Sequence, residues 1–306
     1  MQITTFRYFL AVAETGSVRQ AAENLHVSAS AISRQIQNLE HSFRSTLFER
    51  RPSGMHLTEE GIILAQHMRR TIREMELARA RIDDVHGLIT GTIRYATIEG
   101  VVQSWLFPAF ATFQEQYPGV TFEGDIMGSE AVHAALKTGH ADFGIAMQTA
   151  PYTDLGPSVD VLQRIETRFR ALMKADHPLA SRERLTLNDL EPYRLAMLGP
   201  SFQTRRQIDI AALHQGLNLN IRFELNHIEL LKRYVQVTGE ITVLPDYALR
   251  HELEDERMTV IDIHLRDIPP SSTILCVQKG HCMPRATEVF LSHLQDQNIR
   301  LDLLGE

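Results

Sequence analysis

Ser17-Val18-Arg19-Gln20-Ala21-Ala22-Glu23-Asn24-Leu25-His26-Val27-Ser28-Ala29-Ser30-Ala31-Ile32-Ser33-Arg34-Gln35-Ile36 decides how the N-terminal part of this 306-residue chain is read. Ser17 followed three positions later by Gln20 has the form of a capping box, in which the serine hydroxyl accepts the Gln20 amide and the glutamine side chain reaches back. This starts a short helix from about Val18 to Leu25. His26-Val27-Ser28 makes a turn, and Ser28 caps a longer helix from about Ala29 to Phe43. Ile32, Ile36 and Leu39 recur at helical spacing and form its buried stripe, which leaves Ser30, Ser33, Arg34 and Asn38 on other faces.

Upstream, Phe6, Phe9, Leu10 and Val12/Ala13 mark an earlier helix that Gly16 stops. Downstream, Ser45 to Leu57 holds Arg50-Arg51-Pro52-Ser53-Gly54 and reads as a two-stranded wing. Two short helices with a tight turn are by themselves a weak signal. A second helix that opens with small polar side chains and an arginine is a stronger one, because close approach to base edges in a major groove needs that combination. Arg34 is placed to read guanine with two hydrogen bonds, worth about 1–3 kcal/mol of discrimination. Ser17, Ser28, Ser30 and Ser33 suit phosphate or base contacts, and Arg50 and Arg51 suit phosphates or the minor groove. For Ser17 and Ser28, helix capping is the competing role.

Thr58, Glu59 and Glu60 open one long helix that runs to about Val85, with Gly87 as its stop. Along it Ala65, Met68, Ile72, Met75 and Ile82 follow steps of three and four, broken at Arg79, a seam suited to a partner helix. From Gly91 strand and helix patterns alternate. Expected strands are 92–97, 120–122, 143–146, 169–173, 194–198, 221–224, 241–244, 258–261 and 273–277. Expected helices between them are 104–117, 130–138, 203–214, 229–237 and 285–297. This predicts an α/β architecture with mainly parallel sheets, in two lobes with a cleft.

Composition bounds the function. Hydrophobic residues make up 43% and charged residues 23% of the chain, as in a globular protein. No apolar run is long enough to span a bilayer, and the N-terminus lacks the basic and apolar regions of a secretion signal; a cytoplasmic location is expected. The net charge of -7 divides unevenly: residues 1–90 carry 11 Arg, no Lys and 10 Asp+Glu, a net of +1, and the remainder nets -8. An all-arginine head on an acidic body fits a local DNA footprint. Cys276 and Cys282 match no common zinc spacing, Cys276 falls in an apolar strand pattern, and the histidines form no metal-binding pair; neither metal nor cofactor is expected. There is no G-x-S-x-G, phosphate loop or dinucleotide fingerprint, so no catalytic constellation assembles.

Tyr8-Phe9, Gly16-Ser17, Ala21-Ala22, Leu25-His26-Val27-Ser28, Ile32-Ser33-Arg34-Gln35-Ile36, Leu39-Glu40, Leu47-Phe48-Glu49-Arg50 and Leu57-Thr58-Glu59-Glu60-Gly61 together resemble the winged helix-turn-helix of LysR-type transcriptional regulators. Tyr117-Pro118-Gly119-Val120, Asp142-Phe143-Gly144-Ile145-Ala146, His177-Pro178-Leu179-Ala180 and Val243-Leu244-Pro245 resemble the effector domain of the same family, so the likeness covers nearly the whole chain. The resemblance implies an all-α winged helix-turn-helix domain over 1–58, a dimerisation helix and hinge over 59–90, and a periplasmic-binding-protein-like effector domain over 91–306. Lobe one would hold 91–162 and 266–306, and lobe two 163–265. Implied partners are a double-stranded DNA operator, a small-molecule effector, a second copy in a homodimer, a tetramer as a dimer of dimers, and RNA polymerase.

Three positions depart from the family pattern. Ala29-Ser30 stand where Gln-Pro is common, which removes an adenine contact; Arg44 stands where a glycine usually ends the recognition helix; Gly239-Glu240 replaces a glycine-rich step. In the effector domain, strand ends and helix starts nominate Thr97, Ile98, Glu99 and Gly100, Ser129, Met147 and Gln148, Ser201 and Phe202, Asn226 and His227, and Thr242. Trp105 is read as core. Glu99 suggests an effector with an amine or hydroxyl at that point; the alternatives are that Glu99 turns to solvent or pairs with Arg205 or Arg206. A solute-binding protein and an enzyme are the competing readings, the first opposed by the N-terminal helices and the second by the missing catalytic groups.

Overall fold

A computed structural model describes residues 3–85, 89–149, 158–265, 269–280 and 283–302. The chain divides into two compact units, one of residues 1–88 with 138–140 and the other of residues 89–137 and 141–306.

The first unit runs α1 (Ile3–Thr15), α2 (Val18–Asn24), α3 (Ala29–Phe43), β1 (Phe48–Arg51), β2 (Gly54–Leu57) and α4 (Glu59–Val85). Gly16, at φ +63°, ends α1 in the left-handed region that glycine tolerates. Ser17 accepts the Gln20 amide at 3.3 Å, but the expected capping box is only half made. The Gln20 side chain bonds Asn24 at 3.2 Å instead, because the Thr15 hydroxyl already accepts the Ser17 amide at 3.3 Å.

Both helices of the turn end in the same way. Val27 donates to Ala22 O and His26 to Glu23 O, while Ser45 donates to Glu40 O and Arg44 to His41 O. These are Schellman closures, whose pivot residue is left-handed and usually glycine. Here the pivots are His26 at φ 53° and Arg44 at φ 51°. Arg44 therefore terminates α3 rather than extending it. Phe6, Phe9, Leu10, Ile32, Ile36, Leu39, Leu47 and Phe48 fill the core. Glu40 ties α3 to the wing by accepting the Leu47 amide at 2.9 Å, and Gly16 O accepts the Met55 amide at 2.7 Å.

Thr58 opens α4 by accepting the Gly61 amide at 3.0 Å. The helix has 27 residues, about 40 Å at 1.5 Å per residue; its expected stop, Gly87, lies outside the described residues. The seam expected along it splits in two. Ala65 and Met68 are buried in the first unit's own core and Ile72 packs against it, whereas Met75 and Ile82 are 55% and 62% exposed. Periodicity alone does not tell which part of an apolar stripe the helix's own domain absorbs.

The second unit continues with β3 (Gly91–Thr97), one π-helical turn (Val102–Leu106), α5 (Phe107–Gln116), β4 (Val120–Ile126), α6 (Ser129–Lys137), β5 (Phe143–Thr149), β6 (Val159–Thr167) and β7 (Phe169–Lys174). It goes on through β8 (Arg184–Thr186), α7 (Leu187–Leu190), β9 (Leu195–Leu198), α8 (Gln203–His214), β10 (Ile221–Leu225), α9 (Ile228–Thr238), β11 (Thr242–Pro245), β12 (Met258–His264), β13 (Ser271–Gln278) and α10 (Arg285–Asp302). The π turn precedes Pro108, whose missing amide removes an α-helical bond at that level.

Lobe one is a five-stranded sheet, β4-β3-β5-β13-β6; lobe two holds β11-β7-β12-β8 and the pair β10-β9, which Ala196 N joins to Ile241 O. The sheets are mixed, not mainly parallel as expected. β3 pairs in parallel with β4 and β5, but β13 returns antiparallel between β5 and β6 and β7 lies antiparallel to β11 and β12. The strands that carry the chain between the lobes must run back against the βαβ units they rejoin. Val159–Thr167, absent from the expected strands, spans the 162/163 lobe boundary and stays in the first lobe's sheet as far as Thr167.

Phe110, Phe113, Phe122 and Phe290 form the aromatic centre of lobe one, with Phe110–Phe122 centroids 4.3 Å apart and Phe122–Phe290 4.9 Å apart. Lobe two is an aliphatic core around Leu185, Leu187, Leu195, Ile208 and Ile241. Gly239, at φ +78°, closes α9, so Gly239-Glu240 makes an ordinary helix end.

Candidate nucleic-acid interface and effector cavity

In the first unit the exposed residues expected at DNA lie on α3 and on the wing. Ser28 caps α3 by accepting the Ala31 amide at 3.2 Å, and its hydroxyl lies 3.1 Å from that of Ser30. Ser28, Ala29, Ser30 and Arg34 are exposed at the start of the helix, while Ser33 is half-buried. Ser17 and Ser28 both accept backbone amides through their oxygens, and a serine hydroxyl can donate as well as accept. On the wing Arg50 and Arg51 are exposed; Arg51 pairs with Glu49, a surface contact that adds little to stability. A helix start with small exposed side chains, an arginine one turn on and two exposed arginines on the wing are the residue types that groove and phosphate contacts use.

The second unit encloses a cavity of about 500 Å³. Its walls come from the loop after β3 (Ile98, Glu99, Gly100), the end of β4 and start of α6 (Ile126 to Ala131), and Met147 on β5. The facing wall carries Ser201 to Thr204, Arg206, Asn226, Ile228 and Tyr247. Gly100 is required where it is: a Cβ there would stand 2.6 Å from the Tyr247 ring. Burial, assisted by the neighbouring Asp246 charge, pushes the Tyr247 phenol well above its ordinary pKa, so it is a neutral wall.

Glu99 is held from the other lobe. Its Oε1 accepts the Ile228 amide at 2.8 Å and the Glu229 amide at 3.5 Å, and His227 Nδ1 lies 2.8 Å from the same oxygen. The carboxylate thus caps α9, whose own N-cap residue supplies no side-chain bond. Arg206 makes a second link, reaching Glu130 at 3.4 Å.

Two family models match the chain: the bacterial regulatory helix-turn-helix protein, lysR family, over residues 3–62, and the LysR substrate binding domain over residues 86–298. The chain belongs to the LysR family. It is a DNA-binding transcriptional regulator with a substrate-binding domain, in a family of regulators rather than enzymes. A probable nitrogen assimilation transcriptional activator of Synechococcus elongatus is 28% identical over 264 residues, 85% of this chain and 84% of the relative. A probable RuBisCO transcriptional regulator of Synechocystis is 30% identical, covering 81% of this chain and 72% of the relative. Full-length CbnR complexed with its target DNA shares the fold at TM-score 0.63 and 20% identity, over 97% of this chain and 99% of that one. Full-length OxyR from Pseudomonas aeruginosa does so at TM-score 0.69 and 20% identity, over 96% and 95%.

Within this LysR-family regulator the cavity gathers Ile98, Glu99, Gly100, Ser129, Met147, Ser201, Phe202 and Asn226. It leaves out four residues expected there. Thr97 is fully buried, its hydroxyl donating to Ile98 O at 3.1 Å. Gln148 accepts from Arg164 at 2.5 Å. His227 stands beside Glu99 without lining the cavity, and Thr242 is buried in β11. Alternation explains Thr97 and Gln148, since neighbouring strand residues face opposite sides.

Glu99 lines the cavity, and it neither turns outward nor pairs with Arg205 or Arg206. Arg205 is engaged by Asp209, Glu224 and Leu198 O. Sequence reasoning missed Thr204, Ile126 and Tyr247; the last follows β11 directly, so the rule that ligands gather at strand ends points to it.

The remaining candidates are structural. Cys276 is buried, donates to Gly144 O at 3.4 Å, and burial pushes its thiol up to about 12. Cys282 and His281 lie outside the described residues. Trp105 packs edge-on to Tyr247 with centroids 6.3 Å apart, in the lobe-one core. Among the described residues no group of acidic, histidine or cysteine side chains is set to hold a metal, and no helix is long and apolar enough to cross a membrane.

Proposed function

We propose that this regulator reads its operator with α3 and the wing, and binds a small-molecule effector in the cavity between the two lobes of its second unit. Arg34 reads a base edge, Ser28, Ser30 and Ser33 make close contacts at the helix start, and Ser17, Arg50 and Arg51 hold phosphates. The observation that carries the effector reading is the composition of the cavity. Apolar walls and a few convergent polar groups, at strand ends and helix starts of both lobes, are what a small organic ligand requires.

The working unit is a homodimer formed through α4. An apolar groove of about 440 Å³ lined by Phe6, Phe43, Leu47, Ile63, Leu64 and Met68 lies along that helix, and Phe43 and Ile63 are 45% and 53% exposed. Two copies so joined would match two operator half-sites, with tetramers as dimers of dimers and RNA polymerase as a further partner. The reading places the protein in the cytoplasm.

The test is stoichiometric DNA binding. Selected duplexes should be retained by the full chain in proportion to protein, and a cavity-binding compound should change the affinity or footprint without being consumed. Turnover of that compound, or equal binding to scrambled duplexes, would overturn the proposal.

A further inference from the structure

The loop after β3 is fixed before it reaches across the cavity. Ile98 donates its amide to Ile145 O and Glu99 O accepts the Val102 amide, both at 3.1 Å. The Ile98 side chain packs against the cores of both lobes, and the Tyr247 ring leaves no room for a side chain at Gly100. Glu99 therefore projects from a rigid backbone, and its carboxylate meets the start of α9 with little further loss of chain freedom.

Among the described residues two polar links join the lobes at the cavity wall, and they are unequal. Arg206 and Glu130, 3.4 Å apart, have side chains 49% and 86% exposed, and such a surface pair adds little. The Glu99 side chain is 16% exposed, with His227 Nδ1 2.8 Å from its Oε1, and the same oxygen accepts the Ile228 amide at 2.8 Å. A charged acceptor on a partly buried helix start makes the stronger bond. The helix depends on it, because His227, its own N-cap residue, supplies no side-chain bond. Met147 stands at the same junction. It belongs to β5 of lobe one, packs into the core of lobe two, lines the cavity and is 2% exposed.

We propose that Glu99 is an internal latch: with no effector bound it holds the lobes closed over the cavity, and an effector enters only when the bond to α9 opens. A ligand that buries most of its surface in such a cavity has to pass between the lobes, so the latch gates exchange as a lid does. Lobe closure is then a property of the chain rather than a consequence of binding. The gating role rests on the reading of the cavity as the effector site; the latch itself rests on the contacts of Glu99.

A thiol placed at Met147 reports opening. In the full-length chain carrying Met147→Cys and Cys282→Ser, the one native thiol left is Cys276, fully buried in β13, and its modification reports global unfolding. Iodoacetamide is the probe, and mass spectrometry separates the two sites. With no effector present, position 147 should be labelled slowly while Glu99 is in place. Glu99→Ala removes the latch and should speed that labelling about tenfold. His227→Asp gives α9 a cap of its own, since aspartate is favoured there, and sets a like charge against Glu99. It should speed labelling to a similar extent with α9 still capped. Arg206→Ala should change the rate little, and Cys276 should stay unmodified throughout.

Labelling of position 147 as fast with Glu99 in place as in Glu99→Ala and His227→Asp would overturn the latch. Labelling of Cys276 together with position 147 in both variants would overturn it as well, because Glu99 would then hold the fold and not the contact between lobes. A compound that alters operator binding while leaving the rate at position 147 unchanged would overturn the cavity as the effector site, and with it the gating role, without touching the latch.

Discussion

Glu99 Oε1 accepts the backbone amide of Ile228 at 2.8 Å, so a carboxylate of lobe one caps a helix of lobe two. The Glu99 side chain is 16% exposed, and its negative charge meets the positive end of α9. Glu99→Gln keeps an acceptor and removes the charge, at a cost of about 0.5–1 kcal/mol. Glu99→Ala also strands the amide of buried Ile228, at about 1–3 kcal/mol. Thermal denaturation should rank wild type above Glu99→Gln above Glu99→Ala. A Glu99→Ala protein as stable as wild type would show that the link carries no energy.

Arg34 is exposed on α3 and Arg51 on the wing, and their roles separate by salt and sequence. Arg34→Ala should relax preference for the operator over a scrambled duplex by about 1–3 kcal/mol. Arg51→Ala should weaken both duplexes alike and reduce the salt slope by about one unit. Unchanged specificity in Arg34→Ala would move base reading elsewhere.

His26 and Arg44 hold left-handed backbone without being glycine, which costs about 1–2 kcal/mol each. Glycine relieves the strain but adds freedom to the unfolded chain, so His26→Gly or Arg44→Gly should each stabilise by about 0.5–1 kcal/mol. Alanine at either place should not. Slower amide exchange across α2 and α3 in the glycine variants would register the gain; faster exchange would contradict it.

Met75 and Ile82, rather than the buried Ala65 and Met68, are the seam residues left for a partner. Met75→Asp/Ile82→Asp should yield a folded monomer with weakened operator binding. Sedimentation showing an intact dimer would place the interface elsewhere.

His133 is buried on α6, and desolvation, aided by Lys137 and opposed by Glu130, lowers its pKa from the ordinary 6.5. The folded protein thus releases this proton before the unfolded chain does, and stability rises with pH between the folded value and 6.5. Acidification below pH 6.5 should destabilise the protein, and His133→Gln should flatten that slope. It should not abolish it, because burial shifts His177 in the same direction. An unchanged slope would show that His133 binds its proton equally in the folded and unfolded chain.

The sequence by itself determined the elements of the first unit nearly to the residue. Ser17, Ser28 and Thr58 announce their helices by local chemistry, and Ile32, Ile36 and Leu39 announce a face by spacing. It also determined the family, since those motifs stand at fixed separations. Only the tertiary structure decided the rest. Left-handed closure at His26 and Arg44 is imposed by packing that local preference would resist. Val159–Thr167 becomes a strand because β13 lies beside it, and the direction of β13 is set by the return between lobes. The same holds for Glu99, whose partner Ile228 is 129 positions away. A carboxylate in a loop carries no record of which helix start it will meet, and that meeting decides what charge the cavity has left to offer.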